Sequence, residues 1–252
     1  MASIFSAKVG IEGKKILCVL LRYIQVYSED LTFQLSATHI DFQTSDSSHC
    51  CMLSGRILRN FFDHDVEYKG HGSFGVNVSL LLKVLKNIST EFFMQYDERS
   101  AKLFISGTTA TYKISCIESN EERFEFPEEE ISQMTKINIV GDKNMTTLFS
   151  MLKNWRTDFK ADSVGFDIDG QVLRVSTTTD QLSGSEEFIT GNNHTTRWSS
   201  NISIIFLNRL LALNSNERIF FVSEQKKDFP IMFIDRFPNI RIRSFLAPLI
   251  SD

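Results

Sequence analysis

The sequence predicts an α+β protein made of two similar domains. Three observations predict this fold class: a repeated order of elements, a similar helix in each half, and an acidic segment between the halves. The chain has 252 residues, of which 42% are hydrophobic, and such a chain can bury one large core or two ordinary ones. Each half of about 125 residues reads helix, strands, helix, strands, so an internal duplication is expected.

The first helix and strands of each half are predicted from hydrophobic periodicity. Helical spacing of apolar residues is followed each time by two segments with alternating or β-branched residues. The matching segments are a helix at 14–25 with strands at 31–35 and 38–44, and a helix at 144–156 with strands at 163–168 and 171–177.

The second helix of each half strengthens the repeat. Residues 77–83 (NVSLLLK) resemble residues 201–207 (NISIIFL), and each run begins at an asparagine that can cap a helix. Val78, Leu81 and Leu85 recur at helical spacing and are expected to face the core. A strand hairpin is predicted after each helix, at 91–96 with 102–105 and at 218–223 with 230–234.

An acidic segment separates the halves. Residues 118–130 (ESNEERFEFPEEE) resist burial because of their charge, and Pro127 removes a backbone donor. We expect an extended linker whose Phe124 and Phe126 pack against a neighbouring domain. The predicted division is a domain at 1–117, a connecting loop at 118–133 and a domain at 134–252.

Charge limits the kinds of partner. The net charge of -4 argues against a protein coated with basic residues, so any contact with nucleic acid must come from a local basic surface. The predicted helices provide one, since their exposed faces carry Lys and Arg without Asp or Glu. On the first helix, Ile16, Leu20 and Ile24 are expected to face inward, with Cys18 and Arg22 on another side.

Enzymatic, metal and membrane functions have little support in the sequence. Asp46, Ser48 and His49 name the members of a hydrolytic triad, but triad residues converge from separate elements and neighbours on a loop rarely do. GxSxG and HExxH motifs are absent, and we expect no catalysis, cofactor or metal. No secretion signal or membrane span is predicted, and the four cysteines without CxxC spacing indicate a reducing compartment.

Four separated, collinear motifs resemble the proliferating cell nuclear antigen (PCNA) class of sliding clamps. Residues 35–49, ending in Asp46 Ser47 Ser48 His49, resemble a first-domain strand and its loop. Residues 75–78 with 83–86 resemble the second inner helix, 124–128 (FEFPE) the connecting loop, and 245–248 (FLAP) the C-terminal tail. The resemblance implies a DNA clamp fold, with two pseudo-repeated domains that each place two inner helices against outer antiparallel β-sheets.

The same resemblance implies a homotrimer around duplex DNA, bound without sequence preference. It also implies an ATP-dependent clamp loader, a nuclear location, and partners such as DNA polymerase and other replication and repair proteins that carry PIP-box-like peptides. A basic residue is usual in the family where Leu21 and Ser150 stand, which thins the positive lining. The implied DNA-facing residues are Lys14, Lys15, Arg22, Lys83, Lys86, Lys153, Arg156 and Arg209.

A partner-peptide groove and a subunit interface also follow from the resemblance. A strand at 108–117 is expected to pair with one at 185–190 of the next subunit. The implied groove residues are His49, Cys50, Met52, Phe124, Phe126, Pro127, Pro230, Phe245, Ala247 and Pro248. The implied interface residues are Thr109, Tyr112, Ile114 and Phe188.

Two other binding functions remain open. The chain could be a subunit of a heterotrimeric checkpoint clamp, or a viral processivity factor that binds DNA without closing a ring. The DSSH loop and the LAP tail favour the replicative clamp. Oligomeric state distinguishes the three possibilities.

Overall fold

A computed structural model describes residues 3–68, 72–117, 128–211, 213, 217–223 and 229–249. The chain forms two compact units. Unit 1 contains residues 1–124 and 236–242, and unit 2 contains residues 125–235 and 243–252. Helices and antiparallel sheets occur in both units, which confirms the predicted α+β class.

In its described residues, unit 1 contains two helices and two groups of antiparallel strands. The helices are α1 Ile11–Ile24 and α2 Val78–Asn87, and a 3₁₀ turn spans Arg59–Phe61. The strands are β1 Ser3–Val9, β2 Asp30–Leu35, β3 His39–Ser45, β4 Cys51–Leu58, β5 Asp63–Tyr68, β6 Gly72–Asn77, β7 Phe92–Asp97, β8 Lys102–Ser106 and β9 Thr111–Ser115. One sheet has the order β5-β1-β7-β8-β9, and a second group has the order β6-β2-β3-β4.

The two helices of unit 1 lie against each other. Asn77 caps α2, as predicted, because its side chain accepts a hydrogen bond from the Leu80 N–H at 3.0 Å. The Gln25 side chain, just after α1, lies 2.6 Å from the Ser79 hydroxyl near the start of α2. The C-terminal end of α1 therefore meets the N-terminal end of α2, so the pair is antiparallel.

Unit 2 contains three helices and the remaining strands. The helices are α3 Glu128–Ser132, α4 Met145–Asp158 and α5 Ile204–Leu211. The strands are β10 Thr135–Ile137, β11 Ile139–Val140, β12 Ser163–Thr178, β13 Ser183–Ser203, β14 Glu217–Val222 and β15 Ile231–Phe237, with β16 Ile240–Leu246 reaching into this unit.

Strand β12 reverses direction at Gly170, whose φ of 58° suits glycine. The Thr177 hydroxyl donates to the Ser163 carbonyl at 2.7 Å, so the two halves of β12 lie side by side. Residues 163–168 pair with 198–203, and residues 172–178 pair with 183–189. The resulting order repeats β6-β2-β3-β4 of unit 1 and shows the duplicated architecture.

The second helices match at a register that the sequence comparison missed. Asn201 does not cap α5, because residues 201–203 continue β13 and the helix begins at Ile204. Leu207 is fully buried, as Leu81 is, whereas the similarity in sequence had aligned Leu207 with the exposed Lys83. Shifting the alignment by two residues brings Arg209 to the position of Lys83.

The segment between the halves is helical where it is described. Residues 128–132 form α3, so the prediction of an extended linker was wrong there. The Arg243 guanidinium holds the Glu128 carboxylate with contacts of 2.8 and 2.9 Å. Residues 118–127, including Phe124, Phe126 and Pro127, lie outside the described residues.

Within the described part of the chain, the helices are too short or too polar to cross a membrane.

Candidate functional site

The exposed face of α1 differs from its prediction in two ways. Cys18 is buried, with 9% of its surface exposed, so it belongs to the core and not to the outer face. The helix also begins three residues earlier than predicted, at Ile11, which adds an acidic side chain. The Glu12 carboxylate lies 2.6 Å from the Lys15 ammonium, so one predicted DNA-facing cation already has an ion-pair partner.

Lys14 also has a partner inside its own unit. Its ammonium donates a hydrogen bond to the carbonyl of Ile88, the residue that caps the C-terminal end of α2. Helix ends expose unpaired carbonyls and a partial negative charge, and a cation placed there is stabilising. Lys14 therefore stabilises the end of α2, which competes with a role in contacting DNA.

The charges of Lys14 and Arg22 on α1 and of Lys86 on α2 all act on the Cys18 thiol. Burial raises the pKa of the Cys18 thiol, while the positive charges of Lys14, Arg22 and Lys86 act in the opposite direction. Arg22, Lys83 and Lys86 have exposed side chains. For these three residues, the described part of the chain shows no ion pair with a carboxylate, so they remain able to bind an anion.

Unit 2 presents a similar but sparser set of cations. Lys153 and Arg156 are exposed on α4. Arg209 is half-buried on α5, with its guanidinium 5.4 Å from the centre of the Phe206 ring, an arrangement that holds the cation by a cation–π interaction. Asp158, at the end of α4, is exposed, so together with Glu12 it shows that the helices are not free of acidic residues as predicted.

The structure explains the two positions, Leu21 and Ser150, at which a basic residue was expected from the resemblance and is absent. Leu21 is fully buried, so this position belongs to the core. A lysine there would have to turn its ammonium out of the core toward water. Ser150 is exposed on α4 and is a neutral residue on the basic face. The predicted basic face therefore lacks a cation at Ser150 because of the residue type, and at Leu21 because the position is buried.

The DSSH segment forms the loop between β3 and β4. Asp46 and Cys51 close it through the Asp46 N–H, which donates to the Cys51 carbonyl at 3.0 Å. His49 has a φ of 54°, in the left-handed region that His tolerates better than most residues. His49 is exposed, and Cys50 and Met52 are half-buried, so the loop presents these side chains at the surface of unit 1.

The loop does not assemble a hydrolytic triad. The Asp46 carboxylate accepts from the Ser48 hydroxyl and from two backbone N–H groups. In a triad the acid would orient the imidazole, and the imidazole would bind the nucleophile. The His49 Nδ1 instead lies 3.3 Å from the Ser45 hydroxyl.

The tail residues of the predicted groove belong to unit 2. Pro230, Ala247 and Pro248 are half-buried. The Leu249 N–H donates to the Asn201 carbonyl at 2.7 Å, which holds the tail against its own unit. Phe245 is only 3% exposed, so the prediction that its ring lines an accessible groove is corrected: it is a core residue.

Strands β9 and β13 each have an open hydrogen-bonding edge in the described part of the chain. Strand β9 ends its sheet and pairs with β8 alone. Residues 183–188 of β13 pair with β12 on one side, and β11 covers the other side from Ile189 onward. These are the strands that the sequence predicted for subunit contact.

The side chains predicted at that interface divide into two classes. Thr109 is exposed and Tyr112 is half-buried. Ile114 and Phe188 are 2% and 1% exposed, so their side chains fill the cores of their units. At these two positions the backbone alone can take part in edge pairing, which corrects the prediction of side-chain contact.

Sequence reasoning missed the exposed apolar residues beside the β13 edge. Val140, Leu182 and Ile189 are 40%, 49% and 51% exposed, and Val140 pairs with Ile189 across the strands. The signal was present in the sequence, because Phe188 and Ile189 are consecutive and successive strand residues point to opposite faces. One of the two had to be exposed.

Among the described residues, no group of three His, Cys, Asp or Glu side chains is placed to hold a metal ion.

Comparison with known proteins depends on structure, not sequence. No protein-family model matches the chain, and no curated protein matches it either. A solved PCNA from Entamoeba histolytica matches with a TM-score of 0.79 and 15% identity, over 98% of this chain and 100% of that one.

Two archaeal structures match as well. The A. fulgidus PCNA bound to the C-terminal region of FEN-1 has a TM-score of 0.77 and 14% identity, over 98% of this chain and 99% of its own. PCNA from Thermococcus kodakaraensis has a TM-score of 0.77 and 13% identity, over 97% and 100%. The chain therefore has the fold of the PCNA clamps over nearly its whole length.

Proposed function

We propose that the chain is a subunit of a ring-shaped sliding clamp that surrounds duplex DNA and docks partner peptides. The observation that carries the proposal is the repeated placement of exposed cations on the helices of both units. Arg22, Lys83 and Lys86 in unit 1 and Lys153 and Arg156 in unit 2 are exposed on a chain whose net charge is -4. Exposed positive charge therefore recurs on the helices of both units.

Such a surface suits weak contact with the DNA backbone. Each cation that neutralises a phosphate adds affinity that depends on salt and does not depend on base sequence. A ring needs no tight contact, because its topology retains it on the DNA. The few unpaired cations are consistent with sliding.

Open strand edges support ring closure. An open edge is a template for pairing with another chain, and β9 and β13 each have one. If β9 of one subunit pairs with β13 of the next, the contact is head-to-tail, and a head-to-tail contact closes into a ring when the rotation permits. Three copies of a duplicated chain then give the trimer that the resemblance implies.

The loop at residues 46–51 of unit 1 is proposed as a peptide-docking element, and so is the tail at residues 247–248 of unit 2. His49 stands exposed at the tip of the loop, and Ala247 and Pro248 are accessible in part. The A. fulgidus PCNA structure contains the C-terminal region of FEN-1, so a peptide of that region is a suitable first probe. DNA polymerases and other replication and repair proteins are the proposed natural partners, and the nucleus is the proposed location.

The decisive experiment tests topological binding. The purified chain is placed on nicked circular DNA with an ATP-dependent clamp loader, washed in high salt, and the circle is then cut once with a restriction enzyme. We expect retention on the circle and rapid loss from the linear ends. Equal retention before and after cutting would overturn the proposal.

The oligomeric state separates the proposed clamp from its alternatives. Light scattering of the purified chain should give a homotrimer. A chain that is monomeric and binds linear and circular DNA equally would be a processivity factor without a closed ring. A chain that forms a ring only with two different subunits would be part of a heterotrimeric clamp.

A further inference from the structure

We propose that Asp46 is a positioning residue that holds His49 in the conformation required for peptide docking. The inference rests on the proposed function, because it takes His49 as a peptide contact. Asp46 is itself 6% exposed, while residues 47–49 are exposed. Asp46 therefore acts from beneath the loop, and a bound peptide would touch the residues above it.

Both carboxylate oxygens of Asp46 are used inside the loop. Oδ1 accepts from the Cys51 N–H at 2.6 Å. Oδ2 accepts from the Ser48 N–H at 3.1 Å and from the Ser48 hydroxyl. Hydrogen bonds to a charged acceptor are stronger than those between neutral groups, so one side chain ties together the start, middle and end of the loop.

The backbone of Asp46 completes the arrangement around His49. The His49 N–H donates to the Asp46 carbonyl at 3.0 Å, and the Asp46 N–H donates to the Cys51 carbonyl at 3.0 Å. His49 has a φ of 54°, a conformation that costs free energy for a residue with a Cβ. The contacts of Asp46 offset that cost, and they fix the direction in which the imidazole leaves the loop.

A fixed loop matters because immobilising a side chain during binding reduces affinity. With Asp46 in place, His49 meets the peptide already in position. Without it, residues 47–50 can adopt other conformations, and binding must select the docking one. Loss of Asp46 should therefore weaken the peptide through His49, although Asp46 does not touch the peptide.

The test is a double-mutant cycle with a fluorescent peptide of the FEN-1 C-terminal region. We expect Asp46→Ala and His49→Ala each to weaken binding on the order of tenfold. Adding Asp46→Ala to His49→Ala should change affinity by less than about twofold. Asp46→Ala should lower the melting temperature equally in both backgrounds but should lower affinity only where His49 is present, whereas a merely structural effect would lower affinity in both backgrounds.

A milder matched pair covers the case in which Asp46→Ala fails to fold. Ser48→Ala removes the hydroxyl that donates to Asp46, whereas Ser199→Ala changes an exposed serine on β13, outside the loop. Binding should weaken about threefold for Ser48→Ala and stay unchanged for Ser199→Ala. Hydrogen exchange at the Cys51 amide should accelerate in the Asp46 variant.

The outcomes distinguish this inference from the proposed function. If the wild-type chain does not bind the peptide, peptide docking itself fails and the inference falls with it. If the wild type binds and the Asp46 and Ser48 variants bind equally well, only the inference is overturned. Multiplicative losses in the double variant would also overturn it, since Asp46 would then act independently of His49.

Discussion

Each unit places a cation at the C-terminal end of a helix, α2 in unit 1 and α5 in unit 2, but the two cations are buried to different extents. In unit 1, the half-exposed Lys14 reaches from α1 to the Ile88 carbonyl at the end of α2. In unit 2, Arg218 donates to the carbonyls of Leu210 and Leu213 at 3.1 and 2.7 Å. Both satisfy backbone carbonyls that a helix leaves unpaired.

The difference lies in what surrounds each cation. The Arg218 side chain is 9% exposed and pairs at 2.7 Å with Asp235, which is 1% exposed. It also lies 5.2 Å from the centre of the Phe149 ring. A buried charge that loses its partner is costly, whereas a cation near water is hydrated again. In both units the carbonyls at the end of a helix need a donor. Loss of the buried Arg218 ion pair should cost more free energy than loss of the Lys14 hydrogen bond.

The strand edges show a second division between the units. Unit 1 presents β9, where Ile114 faces the core and the exposed side chains are polar. Unit 2 presents β13, where Ile189 is exposed, as is Leu182 just before the strand. In the proposed head-to-tail contact one edge would come from each unit, so the two edges need not be alike.

The largest expected effect tests that division of the edges. Ile189→Glu places a charge directly beside the open stretch of β13 at residues 183–188, and it should convert the trimer to monomer in light scattering because a buried unpaired charge opposes assembly. Phe93→Glu is the matched control: Phe93 is 47% exposed, close to the 51% of Ile189, but lies on β7, an interior strand that is separated from the β9 edge by β8. A trimer that survives Ile189→Glu would contradict the assignment of the edge.

The next effect tests the helix anchors. Asp235→Ala should lower the free energy of unfolding by about 3–5 kcal/mol, because it leaves Arg218 buried without its carboxylate. Lys14→Met should cost about 1 kcal/mol, the usual contribution of one hydrogen bond. Urea titrations of the two variants give the comparison, and equal losses would show that burial does not separate the anchors.

Salt dependence of DNA binding tests which cations face phosphate. Lys83→Gln with Lys86→Gln should reduce the slope of log K against log salt by about 1.8, at about 0.9 for each phosphate contact. Lys14→Gln with Lys15→Gln removes the same charge from residues that already have partners, and should change the slope less. The unit 2 pair, Lys153→Gln with Arg156→Gln, should resemble the first.

Equal slopes for the two unit 1 pairs would mean that net charge, not placement, governs binding. A smaller change for the unit 2 pair than for Lys83 and Lys86 would show that unit 1 makes most of the contact with DNA.

The smallest effect concerns Cys116, next to the β9 edge. Burial raises the pKa of its thiol to about 11 from an ordinary 9.0. Because the thiolate is the reactive form, alkylation of Cys116 should rise with pH around a midpoint near 11 in the folded protein, but around a midpoint near 9.0 in urea. Peptide mass spectrometry measures both curves, and coincident curves would contradict the effect of burial.

Local chemistry was predictable from the sequence where neighbours along the chain decide it. Asn77 caps α2 as expected, because an N-cap needs only a polar side chain and the next three residues, and Asn144 caps α4 in the same way. The order of helices and strands followed from periodicity. Asn201 misled the prediction because it has the type of a cap but lies in β13, where pairing with β12 outweighs its preference for a helix start.

Burial and pairing were harder to predict because they depend on residues far apart in sequence. Cys18 and Leu21 lie on the buried part of α1 because α2 and the sheets cover that side, which the spacing of α1 does not show. The partner of Lys14 is 74 residues away. Ile114 and Phe188 do lie in strands, as predicted. The sequence did not show that their side chains point into the core and not outward.

The sequence by itself determined the α+β class, the duplication, the main helices and strands, and the resemblance to the clamps. These follow from hydrophobic periodicity and short motifs, because the repeat of a helix or a strand is set by residues close together in the sequence. Only the tertiary structure decided which cations stay unpaired, which edges stay open, and that Asp46 supports His49 from within the loop. The physical reason is that charge pairing, burial and loop support are set by atoms brought together in folding, and the sequence does not record those distances.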